Sequence, residues 1–292
     1  RHVGRRGLGA VWGGKSLKAI QIGGKYVIPV IHRKKKKKIH THIMDRCTEP
    51  KFVAKYRELG TAENVMPLND VGGLPTRNLQ QTTFEHAENI SGEHLQKNFL
   101  ARRIACSNCP VACIHLAALR EAFQPESYFY KTTLVSYDYE LIYALGSMLG
   151  VGESNEMLKL LVAVENLGVD AISAGAILSW ACEAYQKNII TQDHTLVPLE
   201  WGNSKNFLKA LHYIVYQSND FYRALSQGSE FAAAKYGGSE FLTTFGKLEM
   251  AGYHTGPTQA LGFLYGTRHS HLDSGPYSYD IKMAGTKNYP TK

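Results

Sequence analysis

Apolar residues recur at helical spacing through most of the chain's second half. Residues 156–167 and 171–188 carry them three and four apart around a Gly168-Val169-Asp170 turn, and residues 206–217 and 221–236 repeat the pattern. Earlier, residues 52–59, 84–88 and 92–104 read as shorter helices separated by loops rich in Gly, Pro and Asn. Only residues 17–31 read as strand. Two β-branched runs flank Gly23-Gly24 there, where a positive φ costs little, which predicts a hairpin. Beyond Gly256 the chain turns often, at Gly256-Pro257, at Gly275-Pro276 and through Arg268-His269-Ser270-His271-Leu272-Asp273. The pattern predicts a mainly α protein with a short N-terminal β segment.

Length adds that 292 residues, 44% hydrophobic and 20% charged, can bury a core of one large domain or two. The longest apolar runs, such as 158–164, stop well short of the roughly 18 residues a bilayer span needs, so no membrane span is expected. The formal charge of +8 suggests a nucleic-acid binder until Arg33 and Lys34 to Lys38 are set aside. The remainder is nearly neutral, and six adjacent like charges read as a solvated connector. The first residue is Arg1 and no signal-peptide arrangement follows it, so the natural start is expected upstream. Five cysteines, three of them between positions 106 and 113, make no even disulfide framework and point to a reducing cytoplasm and a metal.

Cys106-Ser107-Asn108-Cys109-Pro110-Val111-Ala112-Cys113 is a C-x2-C-x3-C loop, short enough for three thiolates to meet one centre. Iron–sulfur is the leading occupant. A structural zinc would usually bring a second pair of ligands, and His115 lies immediately beyond the loop. A fourth ligand must come from elsewhere, yet Cys182 sits in an apolar helical stretch as a buried free thiol would, and Cys47 is no better placed.

The text around the cysteines, Leu68-Asn69-Asp70-Val71-Gly72-Gly73-Leu74-Pro75-Thr76-Arg77-Asn78 and Ala87-Glu88-Asn89-Ile90-Ser91-Gly92-Glu93, resembles the aldehyde:ferredoxin oxidoreductase family over nearly the whole chain. The turns His254-Thr255-Gly256-Pro257 and Arg268 to Asp273 look closest to a less characterised bacterial branch. The resemblance implies that Cys106, Cys109 and Cys113, with a fourth cysteine beyond Lys292, hold a [4Fe-4S] cluster beside tungsten or molybdenum bound by two pyranopterins.

The opening Gly4 to Gly13 resembles the family's pterin-binding turn, which implicates Arg5, Arg6, Gly7, Leu8 and Gly9. That is physically sound, because glycines admit close backbone approach and guanidinium forks match phosphate oxygens. Glu165, Gly168, Val169 and Asp170 resemble the family's D-x-x-G-L-D pterin element, with Glu165 and Val169 as departures. Local sequence alone allows an equally good reading, in which Gly168 ends one helix and Asp170 caps the next. Asp138-Tyr139-Glu140 matches the family's Tyr-Glu pair, whose glutamate relays protons near the metal. The partner histidine of aldehyde-oxidising members falls at Leu261, so the role passes to His254, with His269 and His271 as further candidates.

The expected organisation is the end of a β pterin-binding domain at 1–33, a helical domain with the cysteine loop at 34–200, and a partial second helical domain at 201–292. The resemblance implies oxidation of an aldehyde to a carboxylic acid in the cytoplasm. Electrons would leave one at a time to ferredoxin or a similar carrier, and no nucleic acid or membrane would take part; a homodimer is compatible. Two alternatives stand: reduction of an activated acid or aromatic thioester, and a non-catalytic iron–sulfur electron-transfer fragment.

Overall fold

The helix Ala171–Gln186 is apolar on every side and accordingly lies at the centre, burying every residue from Ala171 to Ala184 except Ser173. The computed structural model describes residues 5, 7–27, 29–123, 128–273 and 275–286. Asp170 starts the central helix by accepting a hydrogen bond from the Ile172 N–H, and the preceding helix Ser154–Leu167 ends on Gly168 at φ 73°. The turn between them bends the chain by 115°. Helix Ser204–Tyr216 lays Phe207, Leu211 and Ile214 against this pair, and the short helices Asp220–Leu225 and Ser229–Tyr236 close one end.

Helix Tyr139–Leu145 packs most closely on the central helix. A Cβ on Gly175 would stand 2.2 Å from the Ala144 carbonyl oxygen, so only glycine permits this approach. Gly175→Ala is expected to lower stability by about 3 kcal/mol, because neither backbone can yield without displacing a packed helix. Urea unfolding measures this, and an unchanged midpoint would show that the helices lie further apart.

Three strands form the main sheet: β1 (Leu100–Ile104), β2 (Ile114–Ala122) and β3 (Tyr130–Tyr137), antiparallel in that order. The cysteine loop joins β1 to β2. Strand β2 turns His115, Ala117 and Leu119 inward in alternation, which is how a sequence of good helix formers becomes a strand once one face has a core to cover.

Several expectations differ from this arrangement. Residues 92–104, read as one helix, are helix only over Gly92–Asn98 and then strand β1, and residues 84–88 form a turn leading into the 3-10 turn Ala87–Ile90. Residues 17–31 form no strand among the described residues, and Ile22, Val27 and Ile31 are at least 85% exposed. A hairpin with nothing packed on either face does not hold itself together. Lys34 to Lys38 are exposed as expected, but within the helix Arg33–Thr48, which buries no residue. Lysine is a good helix former, and the 100° step between neighbours fans the ammonium groups into solvent. No single helix among the described residues is long and apolar enough to cross a membrane.

Candidate active site

A cavity of about 980 Å³ opens where the N-terminal turn meets the start of the central helix. Arg5, Gly7, Gly9, Gly168 and Asp170 all line it, so two segments far apart in sequence share one wall. The Arg5 Nε donates to Asp170 Oδ2 at 2.6 Å, and its Nη2 donates to the Glu249 carbonyl at 2.7 Å. Asp170 therefore caps a helix and holds an arginine at once. Added Cβ atoms at Gly7 and Gly13 would meet nothing within 4 Å, so the main chain there is open to an occupant.

Leu8 begins the short helix Leu8–Gly14 and points no side chain into the lining, while Arg6 falls outside the described residues. Val169 lines a smaller recess with Asp170, Ser173 and Leu211; Glu165 lines neither. Sequence reasoning missed Ser173 and Glu249. The Ser173 hydroxyl lies 2.9 Å from Asp170 Oδ2 and 2.8 Å from Glu249 Oε2, and Glu249 also meets the Ser229 hydroxyl at 3.3 Å. No local signal marks them, since Ser173 is one of several polar residues in that helix.

Glu140 stands in a second, adjoining centre. Strand β3 ends at Tyr137, Asp138 caps the next helix by accepting from the Leu141 N–H at 3.1 Å, and Glu140 falls in its first turn. Its Oε1 accepts the Tyr253 hydroxyl at 2.8 Å and lies 3.0 Å from His271 Nε2. The His271 ring stacks on Tyr253, with centroids 4.6 Å apart, and its Nδ1 is buried with no partner among the described residues. Burial works to raise the Glu140 pKa, but the hydrogen bonds from His271 and Tyr253 outweigh it and hold the carboxylate below its usual value. Asp138 is pushed up to about 7, by burial first and by Glu140 second. Of these two carboxyls, Glu140 keeps its charge to the lower pH.

Tyr143, one turn along from Glu140, sits between the two centres. Burial raises its pKa, and Arg5, Glu140 and Asp170 all act on its hydroxyl. Glu140 does not line the Arg5–Asp170 cavity, and neither does His254.

No hydrogen bond or ion pair joins His254 to Glu140; His271 occupies that place. Burial holds the His254 imidazole down to about 4, so it is neutral through the physiological range. A base whose folded pKa lies below its unfolded value favours the fold above about 6.5, and that contribution is lost as pH falls toward 4. His254→Gln is therefore expected to flatten the acid limb of a melting-temperature profile between those limits. Parallel profiles for the two proteins would contradict it.

In the cysteine loop, the Cys109 N–H donates to the Cys106 carbonyl at 3.0 Å, and Asn108 and Ala112 take positive φ values of 61° and 57° to turn the chain. Cys106 and Cys113 are exposed and Cys109 half-buried. No group of three His, Cys, Asp or Glu side chains closes around a common point among the described residues, so the thiols share a loop without forming a finished ligand set. Cys182 is buried, donates to the Leu199 carbonyl at 3.5 Å and has its pKa raised by burial, as a structural thiol would. The loop's location is fixed by register. His115 pairs with Tyr137, so Cys113, two residues before one, lies beside the strand end from which Glu140 follows. A Cβ on Gly60 would stand 3.3 Å from the Cys113 carbonyl, and the next residue, Thr61, accepts the Tyr139 N–H at 3.0 Å.

Residues 38–292 match the family model for aldehyde ferredoxin oxidoreductase, domains 2 and 3. A tungsten-containing aldehyde ferredoxin oxidoreductase of Thermococcus kodakarensis is 32% identical over 270 residues, 91% of this chain and 43% of that protein. The WOR-like subunit of an aliphatic sulfonate oxidoreductase from Pyrococcus furiosus is 32% identical over 235 residues, 80% of this chain and 36% of that one. Among solved structures, the active-site complex BamBC of benzoyl coenzyme A reductase superposes with a TM-score of 0.56 at 17% identity, covering 73% of this chain and 32% of that one, which is a likeness of fold. The chain spans less than half the length of these curated relatives.

Proposed function

The chain belongs to the aldehyde ferredoxin oxidoreductase family, and from that premise we propose that it is the part of a tungsten- or molybdenum-pterin oxidoreductase that holds the iron–sulfur cysteines and the acid–base residues. The observation that carries the proposal is the Glu140 carboxylate, kept charged between His271 and Tyr253 at the strand end beside the cysteine loop.

The donor chemistry fits both groups the family implies. Three soft thiols on one exposed loop, Cys106, Cys109 and Cys113, suit iron–sulfur, and a glycine-walled cavity with Arg5 and Asp170 suits a pterin bearing phosphate. When bound, the pterin metal supplies two-electron oxidation of an aldehyde, and the cluster passes the electrons on singly. The residues do the rest. Arg5 is held by Asp170 and the Glu249 carbonyl, so its guanidinium presents a fixed face to the cavity. Glu140 Oε1 is engaged by Tyr253 and His271, and the carboxylate also shares a hydrogen bond with the neighbouring Asp138 carboxyl, so this charged group is the base that takes the proton released when an aldehyde hydrate becomes an acid. A carbonyl or carboxylate oxygen can only accept, so Nε2 of His271 carries the proton toward Glu140 and the bare Nδ1 can receive a second. The pair can thus pass a proton from one residue to the other.

Likeness to benzoyl coenzyme A reductase is one of fold and does not move the reading toward thioester reduction. Metal and pterin analysis of the full-length protein tests the proposal. Tungsten or molybdenum with pterin and about four irons per chain, together with aldehyde-dependent reduction of a viologen dye, is the expected result. Iron alone would reduce the protein to an electron carrier, and zinc alone would end the proposal.

A further inference from the structure

The charge of this chain is concentrated in one place. Residues 33–58 contain ten lysines and arginines against three carboxylates, a net +7 of the +8 carried by all 292 residues. They form two helices in succession, Arg33–Thr48 and Pro50–Glu58, packed on each other, with Arg33, Lys34 to Lys38, Lys51, Lys55 and Arg57 exposed.

This basic segment is tied directly to the cysteine hairpin. The ring N–H of His115 donates to the Arg57 carbonyl at 3.1 Å, Arg103 of β1 reaches the Glu58 carboxylate at 3.3 Å, and Gly60 lies against the Cys113 carbonyl. Arg102 and Arg103 extend the exposed positive surface along β1 to within a few residues of Cys106. On the long helix Ile39 and Ile43, one turn apart, are each about half exposed, which places a short apolar strip directly after the lysine run. Exposed apolar residues beside charged ones are the ordinary composition of a transient protein–protein contact.

We infer that this surface, the helices 33–58 with Arg102 and Arg103 of β1, is the docking site for an acidic protein that carries a one-electron redox centre. The inference rests on the iron–sulfur reading of Cys106, Cys109 and Cys113. An acidic carrier drawn to the lysines is set down beside the loop where single electrons leave, so charge complementarity and the position of the thiols select the same partner. A membrane or nucleic acid would satisfy the lysines but would leave the contact with the cysteine hairpin without a purpose.

The test uses the full-length holoprotein and its variant with Lys34 to Lys38 all replaced by glutamine, which removes the charge and keeps helix propensity. Reduction of the enzyme's cluster is followed by stopped-flow absorbance with two donors, a reduced acidic ferredoxin and a reduced zwitterionic viologen of no net charge. With ferredoxin at low ionic strength, the second-order rate is expected to fall about tenfold or more in the variant, and the two proteins should converge as salt screens the attraction. With the viologen the rates should match. Arg102→Gln reads the same surface at its other end and should lower the ferredoxin rate in the same selective way. Equal rates with ferredoxin in a protein that shows iron–sulfur absorbance would overturn the docking site and leave the proposed function standing. An equal loss with both donors would also overturn it, as would lysine-dependent binding to anionic vesicles or duplex DNA without any change in the ferredoxin rate. Absence of iron–sulfur absorbance from the full-length wild-type protein removes the proposed function and, with it, this site.

Discussion

Glu140→Gln in the full-length enzyme is expected to cut aldehyde turnover by about 10² to 10⁴, the usual worth of a positioned acid–base group, with metal and pterin content unchanged. Glutamine keeps the shape of the side chain and can still accept the Tyr253 hydroxyl at 2.8 Å, so the aromatic cluster of Tyr139, Tyr253 and Tyr277 has no cause to move. What disappears is the charge that faces His271 across 3.0 Å and the oxygen able to take a proton. His271→Asn should produce a loss of the same kind through the other half of the pair, whereas His254→Gln should leave turnover within a fewfold of the parent. Full activity in the Glu140 variant, or a drop in its metal content, would remove the proton-relay role.

Cys109→Ser carries the second large effect: the broad iron–sulfur absorbance of the full-length protein should vanish and its iron should fall to background. Serine matches the thiol in size, and the loop turn is held by main-chain geometry, a Cys109 N–H to Cys106 carbonyl bond with positive φ at Asn108 and Ala112. The fold should survive. Cys182→Ser is the internal control, since that thiol is buried against the Leu199 carbonyl, and its replacement should leave iron content unchanged. Retention of a full cluster by Cys109→Ser would assign the loop to some other use.

The parts of this architecture that can be read from the chain are the local ones. Gly168 and Asp170 announce a helix end and a helix start, and both do that work, with Asp170 also pairing with Arg5. The C-x2-C-x3-C spacing lies within one loop and is equally legible. The sheet was hidden because β2 is written in Ile, His, Leu, Ala, Arg and Glu, residues that propensity assigns to a helix, and only pairing with β1 and β3 decides otherwise. Conversely, the β-branched runs at 17–31 satisfy every local rule for a hairpin and have no described neighbour to pack on.

The choice among histidines was illegible for a related reason. His254, His269 and His271 lie within twenty residues in turns of similar composition, and what separates them is a contact with a helix that begins much earlier in the chain. Burial leaves His254 neutral and His269 lines the Arg5 cavity, so only His271 reaches the carboxylate. Ser173 and Glu249 escaped for want of any motif at all.

The antiparallel ladder between β2 and β3 runs unbroken through eight residue pairs, from Ala122 opposite Tyr130 to His115 opposite Tyr137. It works as a ruler. Cys113 cannot drift relative to Glu140 without tearing main-chain hydrogen bonds, so the thiol loop and the carboxylate keep one separation whatever the charge on either. A scaffold that does not rearrange when an electron arrives or a proton departs spends little energy on relaxation at the moment of reaction. On the proposed function, the electron and the proton would leave from the same corner of the molecule, each altering the other's energy through a distance the strands hold constant.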